Sequence, residues 1–176
     1  MTNSQHHDPI DVLGEAYEKM YERVVENIHK VEDKSGNFLH RLIDEARLRA
    51  IELRELTDDE AELVAQYLKR DLSDTVNYLS REGHELRDWL GFETTLLESD
   101  LLYLFDKLAD PTTLALLKLK LDAEAAGYNT GEITGPGTLA CDACGEKLHF
   151  HRAGRIPPCP RCEGTHFHRL RGDEAT

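Results

Sequence analysis

The feature that most constrains this chain is Cys141-Asp-Ala-Cys144, fourteen intervening residues, and Cys159-Pro-Arg-Cys162, because these two pairs hold every cysteine in the 176 residues. Each Cys-x-x-Cys turn presents two thiolates from a tight knuckle, and two knuckles supply the four ligands of a tetrahedral metal site. Four cysteines can also form two disulfides, but paired spacing in a chain with no export signal favours thiolates on a metal. A thioredoxin-like dithiol is disfavoured because neither pair sits in a βαβ context. The start MTNSQHHDPI lacks the basic and apolar regions of a secretion signal. No apolar run approaches the roughly 18 residues that span a bilayer. The expectation is therefore a cytoplasmic protein without a membrane partner.

Residues 138–172 read as a small β module wrapped on that metal. Thr138-Leu-Ala leads into the first knuckle, Lys147-Leu-His-Phe-His-Arg alternates like a strand, and Thr165-His-Phe-His-Arg-Leu alternates again after the second. Three short strands and two knuckles result. So few residues bury too little apolar surface to fold alone, so metal binding is expected to supply the folding free energy of the module. Four thiolates fill the coordination shell, whereas a hydrolytic zinc keeps one position open for water. The expectation is one structural Zn(2+) per chain on Cys141, Cys144, Cys159 and Cys162, with no enzymatic activity. The Cys-Pro-Arg-Cys knuckle also resembles those of rubredoxins, whose four thiolates hold redox iron, which keeps an iron-binding redox module as an alternative.

The N-terminal part has helical periodicity throughout. Ile10, Leu13, Tyr17, Met20, Val24, Ile28 and Val31 recur at three- and four-residue steps after Asp8-Pro9, with Glu15, Glu18, Glu22 and Glu26 on the outer face. Gly36 and Asn37 suit a turn into a second helix carrying Phe38, Leu39, Leu42, Ile43, Ala46, Ala50, Leu53 and Leu56. The short turn implies antiparallel neighbours, with glutamates of the first helix beside arginines of the second. Thr57-Asp-Asp-Glu60 reads as a capping box that opens a third helix with Leu63, Val64, Tyr67, Leu68, Leu72, Val76 and Leu79 on its core face. Leu86 to Leu108 is the most apolar stretch, and Asp110-Pro111 starts a last helix that stops at Gly127. The apolar run from Leu96 to Phe105 would suit a homodimer and equally a monomeric core.

The fold class that follows is α+β in segregated parts: a mainly α, antiparallel, coiled-coil-like region at 10–127, a glycine-rich connection at 128–137, and a three-stranded β zinc ribbon at 138–172. Net charge is −13, yet residues 138–172 carry six Lys/Arg against three Asp/Glu while residues 1–137 carry 15 against 29. An acidic body repels phosphate backbones, so nucleic-acid contact could only involve the ribbon, through Lys147, Arg152, Arg155, Arg161, Arg169 and Arg171. In the ribbon strands His149, His151, His166 and His168 alternate with Phe150 and Phe167, which places the phenylalanines toward a small core and the histidines on a solvated face. That face is expected to be ordinary surface, with a second metal or a pH-dependent contact as the sharper readings. No Ser/His/Asp order or phosphate-cradling glycine loop occurs.

The stretch YNTGEITGPGTLACDACGEKLHFHRAGRIPPCPRCEGTHFHRL resembles the YbeL-like bacterial zinc-ribbon-containing family. The likeness is strongest at Gly131-Glu132, Gly135, Gly137, Leu139, the four cysteines, Pro160 and Phe167, and extends to DEARLRAIELRELTDDEAELV in the helices. It implies a helical region, a C-terminal ribbon and zinc on the four cysteines, but no activity. Such knuckles carry glycine directly after the second cysteine, as Gly145 does, whereas Glu163 stands there in the second knuckle. The functional expectation is a non-catalytic zinc-binding protein whose helical body contacts protein partners, with a nucleic-acid- or transcription-associated ribbon as the alternative.

Overall fold

The computed structural model describes residues 9–28, 30, 38–79 and 127–170. The turn at Gly36 and Asn37, the apolar stretch from Leu86 to Leu108, Trp89 and the helix expected from Asp110-Pro111 lie outside the described residues. Three helices are described, α1 (Pro9–Ile28), α2 (Phe38–Glu52) and α3 (Asp58–Leu79). They are followed by six strands, β1 (Tyr128–Asn129), β2 (Ile133–Thr134), β3 (Gly137–Cys141), β4 (Lys147–Phe150), β5 (Gly154–Arg155) and β6 (His166–Arg169). This is the segregated α+β arrangement that the periodicities indicate.

Helix α1 opens at Pro9, whose missing amide hydrogen is no loss in a first turn. Tyr17, Met20, Val24 and Ile28 are buried as the periodicity requires, and Ala16, Tyr21 and Val25 broaden the stripe. Leu39, Leu42, Ile43, Ala46 and Ala50 bury the matching face of α2. This second helix is shorter than its apolar pattern suggests. Arg54 takes a left-handed backbone with φ 58°, the Glu55 amide donates to Ala50 O at 2.9 Å and the Arg54 amide to Ile51 O at 2.9 Å. Those are the two bonds of a Schellman stop, here without the usual glycine. Leu53 is consequently expelled from the stripe and exposed, while Leu56 returns to the core beyond the helix end.

Thr57 and Glu60 form the expected capping box. The Thr57 amide donates to Glu60 Oε2 at 2.9 Å, and the Glu60 amide donates to Thr57 Oγ1 at 3.4 Å. Ala61, Val64, Ala65, Leu68 and Leu72 face inward along α3, whereas Leu63, expected in the core, is 46% exposed. Lys69 pairs with Asp44 at 3.2 Å and Arg47 with Glu62 at 3.6 Å, the register of an antiparallel α2/α3 hairpin. Between α1 and the end of α2 the bidentate pair is Arg23 with Glu55, 2.8 Å at both contacts, opposite in polarity to the glutamate-to-arginine pairing expected there.

The ribbon is a four-stranded antiparallel sheet of order β1-β6-β3-β4 beside a two-stranded β2-β5 sheet. The three strands visible in the sequence are β3, β4 and β6. The glycine-rich stretch read as a connection contributes β1, which pairs Tyr128 with Phe167, and β2, which pairs Ile133 with Arg155. Gly131, at φ 92°, makes the tight link between them, and the Glu132 carboxylate accepts from the Asn129 amide at 3.1 Å. Tyr128, Leu139, Ile156 and Phe167 form the ribbon core with Cys141 and Cys159, and Phe150 packs at its edge.

Ribbon and helices share packing. Ile133 and Ala153 belong to the helical core cluster. Gly14 of α1 sits where a Cβ would lie 3.4 Å from the Ala153 carbonyl oxygen. The joint is also polar. Asp71 of α3 is 1% exposed and its Oδ2 accepts from Tyr17 OH at 2.8 Å and from the Gly135 amide at 2.7 Å. Its Oδ1 accepts from Arg70 Nε at 2.9 Å and lies 3.9 Å from Arg169 Nη2. Burial raises the Asp71 pKa, but the Arg70 and Arg169 guanidiniums and the Gly135 amide outweigh it and hold the carboxyl below its ordinary value.

Arg169, 5% exposed, donates to Tyr128 OH at 3.0 Å, Pro136 O at 3.1 Å and Thr134 Oγ1 at 2.8 Å. Arg70 donates to Glu132 Oε2 at 2.6 Å and to Ile133 O at 2.8 Å, and lies 4.0 Å from the Tyr128 ring centroid.

Breaking such a buried pair leaves an uncompensated charge. Arg169→Ala is therefore expected to cost about 3–5 kcal/mol, against about 1 kcal/mol for the capping change Thr57→Ala, both read from urea midpoints at fixed zinc. Because the folded Asp71 pKa is depressed, its contribution is complete at neutral pH and is lost as pH falls below about 4. The stability difference between wild type and Asp71→Asn should accordingly shrink in that acid range.

Candidate metal centre

Two knuckles of the same design bring the four cysteines together. In the first, β3 delivers Cys141, the Gly145 amide donates to Cys141 O at 2.8 Å, and the Cys141 amide donates to Glu146 O at 2.9 Å. In the second, the Glu163 amide donates to Cys159 O at 2.9 Å and the Cys159 amide to Gly164 O at 2.9 Å. The residue after each second cysteine is left-handed, Gly145 at φ 73° and Glu163 at φ 59°. Glutamate thus adopts the conformation glycine usually supplies, so the sequence departure leaves the turn unchanged and places a strained residue in it, at about 1–2 kcal/mol.

All four Sγ atoms lie within 4.8 Å of one another. Cys141 and Cys162 are 3.5 Å apart and Cys144 and Cys159 3.6 Å. A tetrahedron with metal–sulfur bonds of about 2.3 Å has edges of about 3.8 Å, so one ion fits among them. No disulfide joins any two of the four cysteines. Cys141 and Cys159 are buried, Cys144 is half-buried and Cys162 is exposed, so the site has one solvent-facing rim. Gly164 lies against it: a Cβ there would sit 2.9 Å from Cys141 Sγ and 3.2 Å from Cys162 Sγ.

The electrostatics suit a divalent cation. Burial opposes ionisation of Cys159, but the amides of Arg161 and Cys162 and the Cys144 and Cys162 thiols prevail and bring it down to about 7. The Gly164 amide favours the Cys162 thiolate, yet the crowding Cys144 and Cys141 sulfurs outweigh it and push Cys162 up to about 12. Zinc binds thiolates, so loading displaces the protons the sulfurs carry, and the cation offsets the repulsion among them.

Among the described residues no other group of His, Cys, Asp and Glu is close enough to hold an ion. His149, His151, His166 and His168 are exposed, as the alternation indicates, while Phe167 is buried. His149 Nδ1 is 2.9 Å from Thr138 Oγ1, and His168 Nδ1 is 2.6 Å from Asp142 Oδ1. The basic patch is depleted. Arg169 turns into the protein, Arg155 donates to Gly131 O at 2.8 Å, and Arg152 and Arg161 lie 3.8 Å from Glu18 and 3.9 Å from Glu146. Arg171 lies outside the described residues.

Two measurements follow from this geometry. Zinc titrated into metal-free protein in weakly buffered solution at pH 7 should release more than one proton per ion, and apparent affinity should fall as pH drops. Release of no protons would mean that the thiols are not the ligands. Glu163→Gly should raise stability by about 1 kcal/mol, while Gly164→Ala should weaken zinc binding by crowding two sulfurs, as judged by competition with a chromophoric chelator.

The model of a zinc-ribbon containing domain matches residues 26–171. The uncharacterised protein YbeL of Escherichia coli K12 is 30% identical over 132 residues, covering 73% of this chain and 79% of YbeL. The YbeL sequences of strains O6:H1 and O157:H7 match to the same extent. No solved structure matches. With the four-cysteine cluster in place and both comparisons spanning most of its length, the chain belongs to the YbeL-like family of proteins built on a zinc-ribbon containing domain.

Proposed function

We propose that this protein is a non-catalytic zinc-binding protein in which one Zn(2+) per chain, held by Cys141, Cys144, Cys159 and Cys162, shapes a ribbon carried on a helical body that contacts protein partners in the cytoplasm. The observation that supports this reading is the convergence of four cysteine sulfurs within 4.8 Å. Four thiolates complete a tetrahedral shell, and a zinc so enclosed has no position for a water to be activated. No helix among the described residues is long and apolar enough to cross a membrane. The interaction role falls to the helices, where Leu48, Leu53 and Leu63 are 56%, 46% and 46% exposed.

Element-resolved native mass spectrometry on protein purified without added metal should find one zinc per chain and none in Cys141→Ser. Iron in wild type would favour the rubredoxin-like alternative. Two zincs would give the histidine face a ligand role. Tight, salt-sensitive DNA or RNA binding by the full chain would favour the nucleic-acid alternative.

A further inference from the structure

The metal knuckles and the buried Asp71 cluster share strands. Strand β6 leaves the second knuckle and, after Phe167 in the ribbon core, places Arg169 in the joint with α3. Strand β3 runs between Gly137 and Cys141, so its two ends lie at the joint and at the metal. Gly137, at φ 142°, is where Arg169 crosses β3: a Cβ on Gly137 would coincide with the guanidinium. From the ribbon Asp71 receives the Gly135 amide, the Thr134 hydroxyl at 3.4 Å and the nearby Arg169 charge. From the helices it receives Tyr17 and Arg70.

We propose that the Asp71–Arg169 joint is a metal-dependent latch, through which loading of the four cysteines fixes the ribbon against α1 and α3 and loss of the metal frees that helical face. This inference rests on the structural-zinc reading above. Without metal, the ribbon has too small an apolar core to hold β3 and β6 in place. Their departure withdraws Arg169, and with it the hydrogen bond that holds Thr134 Oγ1 and the link through Gly135 into β3, and so opens the carboxylate to water, along with the surfaces of Gly14, Tyr17 and Glu18 that face Gly135 and Ala153. The Arg169 guanidinium, buried between Asp71 and Asp74, cannot be withdrawn halfway from a dry joint, because its charge is stable only when paired or fully hydrated. The joint is for that reason either closed or open, and the zinc site biases it.

Coupling of this kind is reciprocal, so a change at the latch must alter zinc affinity although Asp71 is no metal ligand. Zinc affinity of the full chain is measured by competition with a chromophoric chelator for wild type, Asp71→Asn, Gly137→Ala and the control Glu62→Gln, which removes a charge whose partners are Arg47 and Gln66, away from the joint. Weakening of about tenfold for Asp71→Asn and Gly137→Ala, with Glu62→Gln unchanged, is the expected result. Hydrogen exchange of wild type with and without zinc supplies a readout that needs no variant to fold. Faster exchange after zinc removal in both β3/β6 and the 64–75 segment of α3 supports the latch. Faster exchange in the strands alone, with α3 unaltered, overturns the latch and leaves the structural-zinc reading standing. Strands indifferent to zinc overturn both.

Discussion

The rest of the structure depends on one buried carboxylate. Asp71 lies on the apolar stripe of α3, where a charge is tolerated only if its surroundings replace the water it has lost. They do so from three directions: Tyr17 on α1, Arg70 on its own helix, and the Gly135 amide with Arg169 from the ribbon. Since no single layer satisfies it, helices and ribbon must fold against each other for this residue to be stable. The apolar contacts of Ile133 and Ala153 with the helical core add area to that joint. The polar cluster adds direction, because hydrogen bonds fix which faces meet whereas apolar burial is largely indifferent to register.

The metal site and the joint divide the labour of stabilising a small β module. Six short strands and a core of a few large side chains would be marginal alone. The four converging sulfurs lie at one end, where the proposed cation would secure it, and the cluster around Asp71 and Arg169 secures the other. Within the metal site the two knuckles share their hydrogen bonds and a left-handed residue after the second cysteine although their sequences differ, and the glutamate there shows that hydrogen bonding of the turn, rather than residue preference, sets its shape. The amides directed at Cys159 and Cys162 favour their thiolates, and the neighbouring sulfurs add to this at Cys159 and oppose it at Cys162.

Much of this was legible in the sequence, for identifiable reasons. Cys-x-x-Cys spacing encodes the convergence of the sulfurs because each knuckle is tight, Thr57 and Glu60 encode a helix start because their side chains bond within one turn of chain, and the stripe of α1 encodes burial through its period. What was illegible involved partners distant in the chain. Arg54 closes α2 without a glycine, so no residue preference in the sequence marks the stop. The 128–137 stretch carries turn residues in plenty, and only its pairing with β6 and β5 makes it strands. Two signals were present but pointed elsewhere. Asp71 and Thr75 fall in phase with Leu68 and Leu72, which marks them as inward-facing. Arg169 is two residues from Phe167, so alternation puts it on the buried side, not in the basic patch where its charge alone would place it.

The central claim is a closed shell of four thiolates, and X-ray absorption at the zinc edge of the purified protein tests it most directly. The expected spectrum fits four sulfurs at about 2.3 Å with no lighter scatterer. A shell containing nitrogen or oxygen, from a histidine or a bound water, would contradict the account by showing a ligand position that the cysteines do not fill.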